Sequence, residues 1–101
     1  MTPKPLVWTD RATADLEEIG EYIALDDPVA AERWVELLLA TAQRAGELPF
    51  SGRRVPELGR DDIREVLRRS YRIIYRILDD RVEVLTVFEG HRRLPGDLLD
   101  H

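Results

Sequence analysis

Two runs of β-branched and aromatic residues lie close together in the last third of the chain, at residues 71–77 and 82–88. Such side chains pack well on a pleated surface, and a short polar break separates the runs. The pattern predicts an antiparallel hairpin with Asp79 and Asp80 as a two-residue turn. In that register the opposed pairs are Ile77 with Val82, Arg76 with Glu83, Ile74 with Leu85, and Arg72 with Val87.

Two helices are predicted in the first half of the chain, because apolar residues recur there at helical spacing. Thr9 or Asp10 caps the first helix, which should end near Leu25, and Asp27 with Pro28 begins the second, for which Gly46 is a plausible stop. The apolar positions are Ala12, Leu16, Ile19 and Ile23 in the first helix, and Ala31, Trp34, Leu38, Ala42 and Ala45 in the second.

Three further segments complete the element order. Pro5–Trp8 is predicted to be an edge strand, Pro49–Asp62 a loop of about 14 residues, and Ile63–Arg68 a strand that leads into the hairpin. The order β-α-α-β-β-β predicts an α+β fold, in which an antiparallel helix hairpin covers one face of an antiparallel sheet.

The alternation of side chains along residues 71–78 defines the two faces of that sheet. Tyr71, Ile73, Tyr75 and Ile77 should face the helices. The opposite face carries Ile74 and Leu85 beside Arg72, which predicts an apolar strip edged by arginine and left uncovered for another macromolecule. Two structural alternatives are an Arg72–Glu89 pair and, for the neighbouring arginine, an Arg76–Glu83 pair.

The composition sets the class of protein. A chain of 101 residues with 44% hydrophobic content corresponds to a single domain, 1–101, with residues 96–101 as a possibly disordered tail. There is no cysteine, and no His–acid spacing or glycine-rich phosphate loop suggests a metal ion or cofactor, so neither is expected. Without a signal peptide or a run of about 20 apolar residues, we expect a soluble cytoplasmic protein.

Charge is distributed unevenly along the chain. The net charge is −5, whereas residues 52–76 hold eight basic and four acidic side chains. A protein that mainly grips phosphates usually has a basic patch and a high pI, so a pI near 5.0 weakens a nucleic-acid function.

The element order and several local strings together resemble the RelE/ParE superfamily of bacterial toxins, over nearly the whole chain. The ending Val87–Arg92 is most similar to the ParE branch, although Glu89 stands where a His is common. The matching residues are Trp8, Thr9, Ala12, Asp15, Leu16, Ile19, Tyr22 and Ile23; Pro28, Ala30 and Ala31; Leu48, Pro49, Gly52 and Arg53; Ile63, Arg64 and Glu65; and Tyr71, Arg72, Ile73, Ile74 and Tyr75.

The resemblance implies the toxin of a type II toxin–antitoxin pair, neutralised by a cognate antitoxin in a hetero-oligomer. ParE-like toxins are associated with poisoning of DNA gyrase, which would make this chain an inhibitory binding protein rather than an enzyme. A protein-interaction module without toxicity is a further alternative. The candidate antitoxin- and target-binding residues are Arg53, Arg54, Arg72, Ile74, Leu85, Glu89, His91, Arg92 and Arg93.

RelE-like toxins instead cut messenger RNA on the ribosome, and this chain could supply a comparable set of side chains. Metal-free RNA cleavage needs a base, a cation for the developing charge and an acid. Glu57, Arg72 and His91 resemble the Glu, Arg and His of one RelE-like subgroup in type and approximate position. His91 is out of register with that subgroup's C-terminal His, and no terminal Tyr follows it.

Overall fold

The computed structural model describes residues 2–99, which form one sheet with two helices packed on one of its faces. The strand order is β1-β5-β4-β3-β2, and β1 runs parallel to β5 while the other neighbours are antiparallel. The α+β fold is therefore confirmed, but parallel pairing of β1 makes the sheet mixed instead of antiparallel, and β2 lies within the segment 49–62 that was predicted to be a loop. The elements are β1 (Leu6–Trp8), α1 (Asp10–Ala24), α2 (Pro28–Glu47), β2 (Arg53–Arg54), β3 (Ile63–Arg68), β4 (Tyr71–Ile77) and β5 (Val82–Glu89).

Both helices begin where the capping residues predicted. The Thr9 hydroxyl oxygen accepts a hydrogen bond from the amide of Ala12 at 3.1 Å, and one Asp27 carboxylate oxygen accepts from the amides of Val29 and Ala30. These contacts satisfy amides that have no partner within the helix. Across residues 2–99, neither helix is long and apolar enough to cross a membrane.

The second helix continues past its expected stop to Glu47, so Gly46 has a different role. Its carbonyl accepts a hydrogen bond from the amide of Lys4 at 2.8 Å. A Cβ atom on Gly46 would lie 2.9 Å from the Lys4 carbonyl oxygen. Glycine is therefore needed because the segment that precedes β1 approaches the helix backbone closely.

The helix side of the sheet holds a continuous apolar core. Leu38 and Ala42 of α2 are fully buried, as are Ile73 of β4 and Val84 of β5. Trp34 meets Tyr71 edge-on with ring centroids 5.4 Å apart. The apolar face predicted for each helix is the face that packs on the sheet, which confirms the periodicity argument.

The β4–β5 hairpin has the expected turn, but its register changes part-way along. The Leu78 amide donates to the Arg81 carbonyl across Asp79 and Asp80. The pairs nearest the turn are as predicted, whereas a bulge beyond them leaves Leu85 unopposed. The predicted pairs Ile74–Leu85 and Arg72–Val87 are therefore wrong, and the observed pairs are Ile74 with Thr86 and Arg72 with Phe88.

Helix α1 contacts the sheet at this bulge through Asp15. One carboxylate oxygen of Asp15 accepts from the Thr86 hydroxyl at 2.5 Å and from the Val87 amide at 3.2 Å. Beyond the bulge, Val87 faces the helices and Phe88 faces away from them.

The face opposite the helices is covered, which contradicts the predicted open strip. Ile74 and Leu85 do point away from the helices, but they are only 0% and 3% exposed. The loop between β2 and β3 and the segment after β5 pack over them. These covering residues lie in segments without apolar periodicity, namely Val55, Leu58, Leu94, Leu98 and Leu99.

The C-terminal segment takes part in this packing. Residues 96–99 form a turn, and Leu98 is 2% exposed against the second core, where a disordered tail from residue 96 had been expected. Arg11 of α1 forms an ion pair with Asp97 at 2.9 Å, which links the tail to the helix layer. The last two positions of the expected tail, 100 and 101, lie outside the described residues.

Candidate functional site

Arg72 of β4 is the centre of a buried ionic network on the face away from the helices. Its Nε donates to one oxygen of Glu65 at 2.7 Å, and Nη2 lies 2.6 Å from the same oxygen. Its Nη1 and Nη2 atoms also donate to the two carboxylate oxygens of Glu57, each at 2.9 Å. A single guanidinium therefore holds two carboxylates, one of them in bidentate geometry.

Glu65 of β3 is the deepest member of the network. Its side chain is 0% exposed, and its second oxygen accepts from Nε of Arg53 at 2.6 Å. A buried carboxylate needs such partners because removing its charge from water carries a large desolvation penalty. Glu65 thus joins β2 and β4 across the strand between them.

The two acids of the network differ in their exposure to water. Glu57 lies in the loop after β2, and its side chain is 43% exposed, in contrast to the buried Glu65. The hydrogen bonds from Arg72 lower the pKa of Glu57 from its usual value to about 2. The same bonds raise the pKa of Arg72 above its ordinary value. Both groups are therefore ionised at neutral pH.

The bulge in β5 also completes this site. Because it moves Phe88 to the far face of the sheet, the Phe88 ring comes to lie 5.2 Å from the central guanidinium carbon of Arg72. This is a cation–π distance, and the ring also shields the ion pairs from solvent.

A groove at this end of the sheet contains all three residues of the predicted nuclease set. Glu57, Arg72 and His91 line it, together with Arg53 and Arg69. The three residues that the sequence interpretation grouped together therefore line one groove, and their role there stays a prediction. Their contacts do not match a catalytic set, however, since Glu57 and Arg72 neutralise each other. His91 is 73% exposed and its Nδ1 lies 3.2 Å from Glu89.

The basic residues of the turns form an exposed surface next to the groove, which shares Arg69 and His91 with it and which we call the basic end. The Gly90 amide donates to the Ser70 carbonyl and so joins the β3–β4 turn to the end of β5. All the side chains of this surface are exposed. They are Arg68, Arg69, His91, Arg92 and Arg93.

The two ion pairs considered across β4 and β5 are not found, and other partners replace them. Arg76 does lie opposite Glu83, but Glu83 is paired with Arg81 instead, at 3.2 Å. Arg72 is held by Glu57 and Glu65, although a pair with Glu89 had been considered. Of the remaining candidates, Arg54 pairs with Asp61 at 2.5 Å on the surface.

Comparison with known proteins identifies the family. The family model for the ParE toxin of the type II toxin-antitoxin system parDE matches residues 6–94. The chain belongs to the ParE toxin family. The resemblance seen in the sequence is thereby confirmed, and the chain is a toxin of a type II toxin–antitoxin system with an antitoxin as its partner.

Two curated relatives and one solved structure agree with this membership. A Sinorhizobium fredii protein named putative toxin Y4kP is 42% identical over 98 residues, which covers 94% of this chain and 97% of the relative. Toxin RelE2 of Caulobacter vibrioides is 36% identical over 88 residues, covering 86% and 96%. A chain of the chromosomal ParDE system of P. aeruginosa has a TM-score of 0.72 at 22% identity, covering 85% and 95%, and shows the shared fold.

The ParE-family chain has one central residue that the sequence interpretation left without a role. Glu65 appeared only as part of a matching string, yet it is the buried acid that holds Arg53 and Arg72. A signal was present, since alternation along β3 places Glu65 on the same face as Ile63, which is fully buried. An acid at an inward position of a strand requires a buried cation.

Proposed function

We propose that this ParE-family toxin inhibits growth by binding a protein target, DNA gyrase, and that its antitoxin neutralises it by binding at the basic end. The observation that carries this proposal is the pairing of Arg72 with carboxylates of the same chain. Its guanidinium is engaged by two carboxylates in the free toxin, so the groove presents no unpaired buried cation to a phosphate. The similarity to the ParE branch supports gyrase as the target.

The electrostatics of the groove argue against RNA cleavage. A general base works best when its pKa lies near the operating pH, whereas the pKa of Glu57 is about 2. A cation that stabilises a developing negative charge must have donors directed at that charge. Those donors of Arg72 point at Glu57 and Glu65.

The basic end is the proposed contact surface because its charge and exposure suit an acidic partner. Four arginines and His91 are exposed there, although the whole chain has a net charge of −5. Such local charge speeds association with an acidic surface and orients it. Arg53 lines the adjoining groove, and Arg54 is exposed at the next position of β2. Ile74 and Leu85 could contribute only if the C-terminal segment moved away.

The test is a pair of reactions with purified toxin, one a gyrase supercoiling assay and the other a translating ribosome extract. We expect inhibition of supercoiling alone. Charge reversal in Arg92→Glu/Arg93→Glu should abolish that inhibition. The control Arg33→Glu/Arg44→Glu makes the same charge change at exposed sites on α2 and should remain inhibitory.

Point substitutions are preferable to truncation before Gly90 in this test. Removing residues 90–101 would also remove Leu94 and Leu98, which cover the second core. Loss of function in the truncated protein would then reflect loss of packing instead of loss of the contact surface. If supercoiling is unaffected by toxin that circular dichroism shows to be folded, gyrase is not the target.

A ribosome-dependent endoribonuclease is the second candidate, because Glu57, Arg72 and His91 line one groove. Inhibition of translation with cleaved messenger RNA, lost in His91→Ala, would favour this function. A plain interaction module is tested by expressing the toxin without its antitoxin. Unimpaired bacterial growth would contradict both toxic functions.

A further inference from the structure

The guanidinium of Arg72 has an inner edge and an outer edge, and different acids occupy them. The inner Nε donates to Glu65, which is 0% exposed and lies within the sheet, and Nη2 also lies 2.6 Å from the same Glu65 oxygen. The outer pair of Nη atoms binds Glu57, which is nearly half exposed and lies on the wall of the groove. The outer edge is thus the part of Arg72 that borders the open space.

The two acids also differ in how firmly the backbone holds them. Glu65 pairs with Arg53 of β2 on one side and Ile74 of β4 on the other. Glu57 lies in a turn whose amides at Leu58 and Gly59 both donate to the Val55 carbonyl. Rotation of its exposed side chain would break two hydrogen bonds and no strand pairing. Glu57 can therefore exchange with another anion while Glu65 stays in place.

The surroundings of the outer edge select the type of anion. Arg53 and Arg69 line the same groove as Arg72, so a negative ligand would approach three arginines and one acid, Glu57. Two parallel N–H groups match the two oxygens of a carboxylate, as the equal 2.9 Å distances to Glu57 show. The buried charge of Glu65 directly behind would repel a phosphate dianion more strongly than a single carboxylate. A backbone phosphodiester carries one negative charge, as a carboxylate does, so the second test below compares these two ligands directly.

We propose that Glu57 is an internal competitor, and that an Asp or Glu side chain of the antitoxin displaces it from the outer edge of Arg72 in the complex. The inference deepens the proposed antitoxin docking and does not depend on gyrase. An incoming carboxylate makes the same bidentate contact, so the toxin gains a partner without an unpaired buried charge. The Glu57 side chain, which is already 43% exposed, then rotates fully into water.

The first test uses calorimetry to measure the affinity between the toxin and its cognate antitoxin. Glu57→Gln removes the competing charge and should tighten binding by about tenfold. The matched control is Asp62→Asn in the same loop, since Asp62 pairs with Arg60 instead of Arg72. Its affinity should equal that of the wild type. In Glu57→Gln/Arg72→Lys the gain should disappear, because lysine has no guanidinium fork.

Equal or weaker binding by folded Glu57→Gln would overturn the proposal, as would a gain that persists when Arg72 is Lys. Glu57→Asp provides a second variant if the first is unstable. Its shorter side chain should loosen the bidentate pair and give a smaller gain.

The second test identifies the ligand class by NMR, following the Arg72 Nε–H signal of Glu57→Gln. Added tetraglutamate peptide should shift this signal in a saturable manner, and the wild type should respond at higher peptide concentration only. A dinucleotide phosphodiester should cause no such shift. A response to the dinucleotide but not to the peptide would show a nucleic-acid site and contradict the carboxylate assignment.

Discussion

The two faces of the sheet are both buried, but different kinds of structure cover them. On the helix side, α1 and α2 place regularly spaced apolar residues on the strands. On the far side, a loop and the C-terminal segment cover a smaller apolar cluster, and beside it lies the Arg53–Glu65–Arg72–Glu57 network. The helix side therefore supplies most of the stability. The far side holds the groups that a partner can reach.

This comparison predicts that the largest loss of stability follows a cavity on the helix side. Leu38→Ala should lower the free energy of unfolding by about 4 kcal/mol, because Leu38 is fully buried between α2 and the sheet. Urea denaturation would measure it. Leu39→Ala, at the next and exposed position, should change stability much less. Equal losses in the two variants would contradict the assigned helix face.

A somewhat smaller loss is expected when the buried acid of the far side is neutralised. Glu65→Gln should lower the free energy of unfolding by about 3 kcal/mol, since Arg72 and Arg53 lose their shared buried charge while Arg72 keeps Glu57. Urea denaturation also measures this loss. Glu83→Gln makes the same substitution at a more exposed ion pair on β5 and should have little effect.

The packing of the C-terminal segment is a third point of comparison. Leu98→Ala should lower the free energy of unfolding by about 2 kcal/mol. This loss is at the low end of the range for Leu→Ala substitutions in cores, because an end segment can move to fill the cavity. Trp8 and Trp34 both pack on the helix side, so the tryptophan fluorescence of folded Leu98→Ala should equal that of the folded wild type. A shifted emission maximum would show that the two faces are coupled.

The smallest effect on stability is expected at the partly exposed Glu57–Arg72 ion pair, and it depends on pH. The pKa of Glu57 is lowered from 4.5 to about 2 in the folded protein, so the stability it contributes is present above pH 4.5 and is lost as pH falls towards 2. Because its side chain is 43% exposed, solvent screening limits this contribution to about 1 kcal/mol. Thermal melts should show a smaller loss between pH 4.5 and 2 in Glu57→Gln than in the wild type.

Much of the architecture could be predicted from short-range patterns in the sequence. Thr9 and Asp27 mark the helix starts, and apolar residues three and four positions apart indicate the buried helix faces. Alternation along β4 correctly assigned Tyr71, Ile73 and Tyr75 to the helix side. These features depend on neighbours in the chain, which is why one sequence sufficed to predict them.

The candidate site was only partly predictable, as Arg72 shows. Its face was assigned correctly, and the resemblance suggested Glu57 and His91 as its neighbours. Its partners Glu57 and Glu65 come from two other segments, and whether they reach Arg72 depends on how the loop folds over the sheet. No local pattern encodes that path, so the ion pair considered for Arg72 was one with Glu89.

Residue order thus defined the helices, four of the five strands and the hairpin turn, because capping, periodicity and alternation act over a few residues. Tertiary packing alone decided the bulge at Leu85, the cover over Ile74 and the engagement of Arg72. Each of these arises where distant segments compete to satisfy buried charges and apolar surface, and the outcome depends on the whole fold.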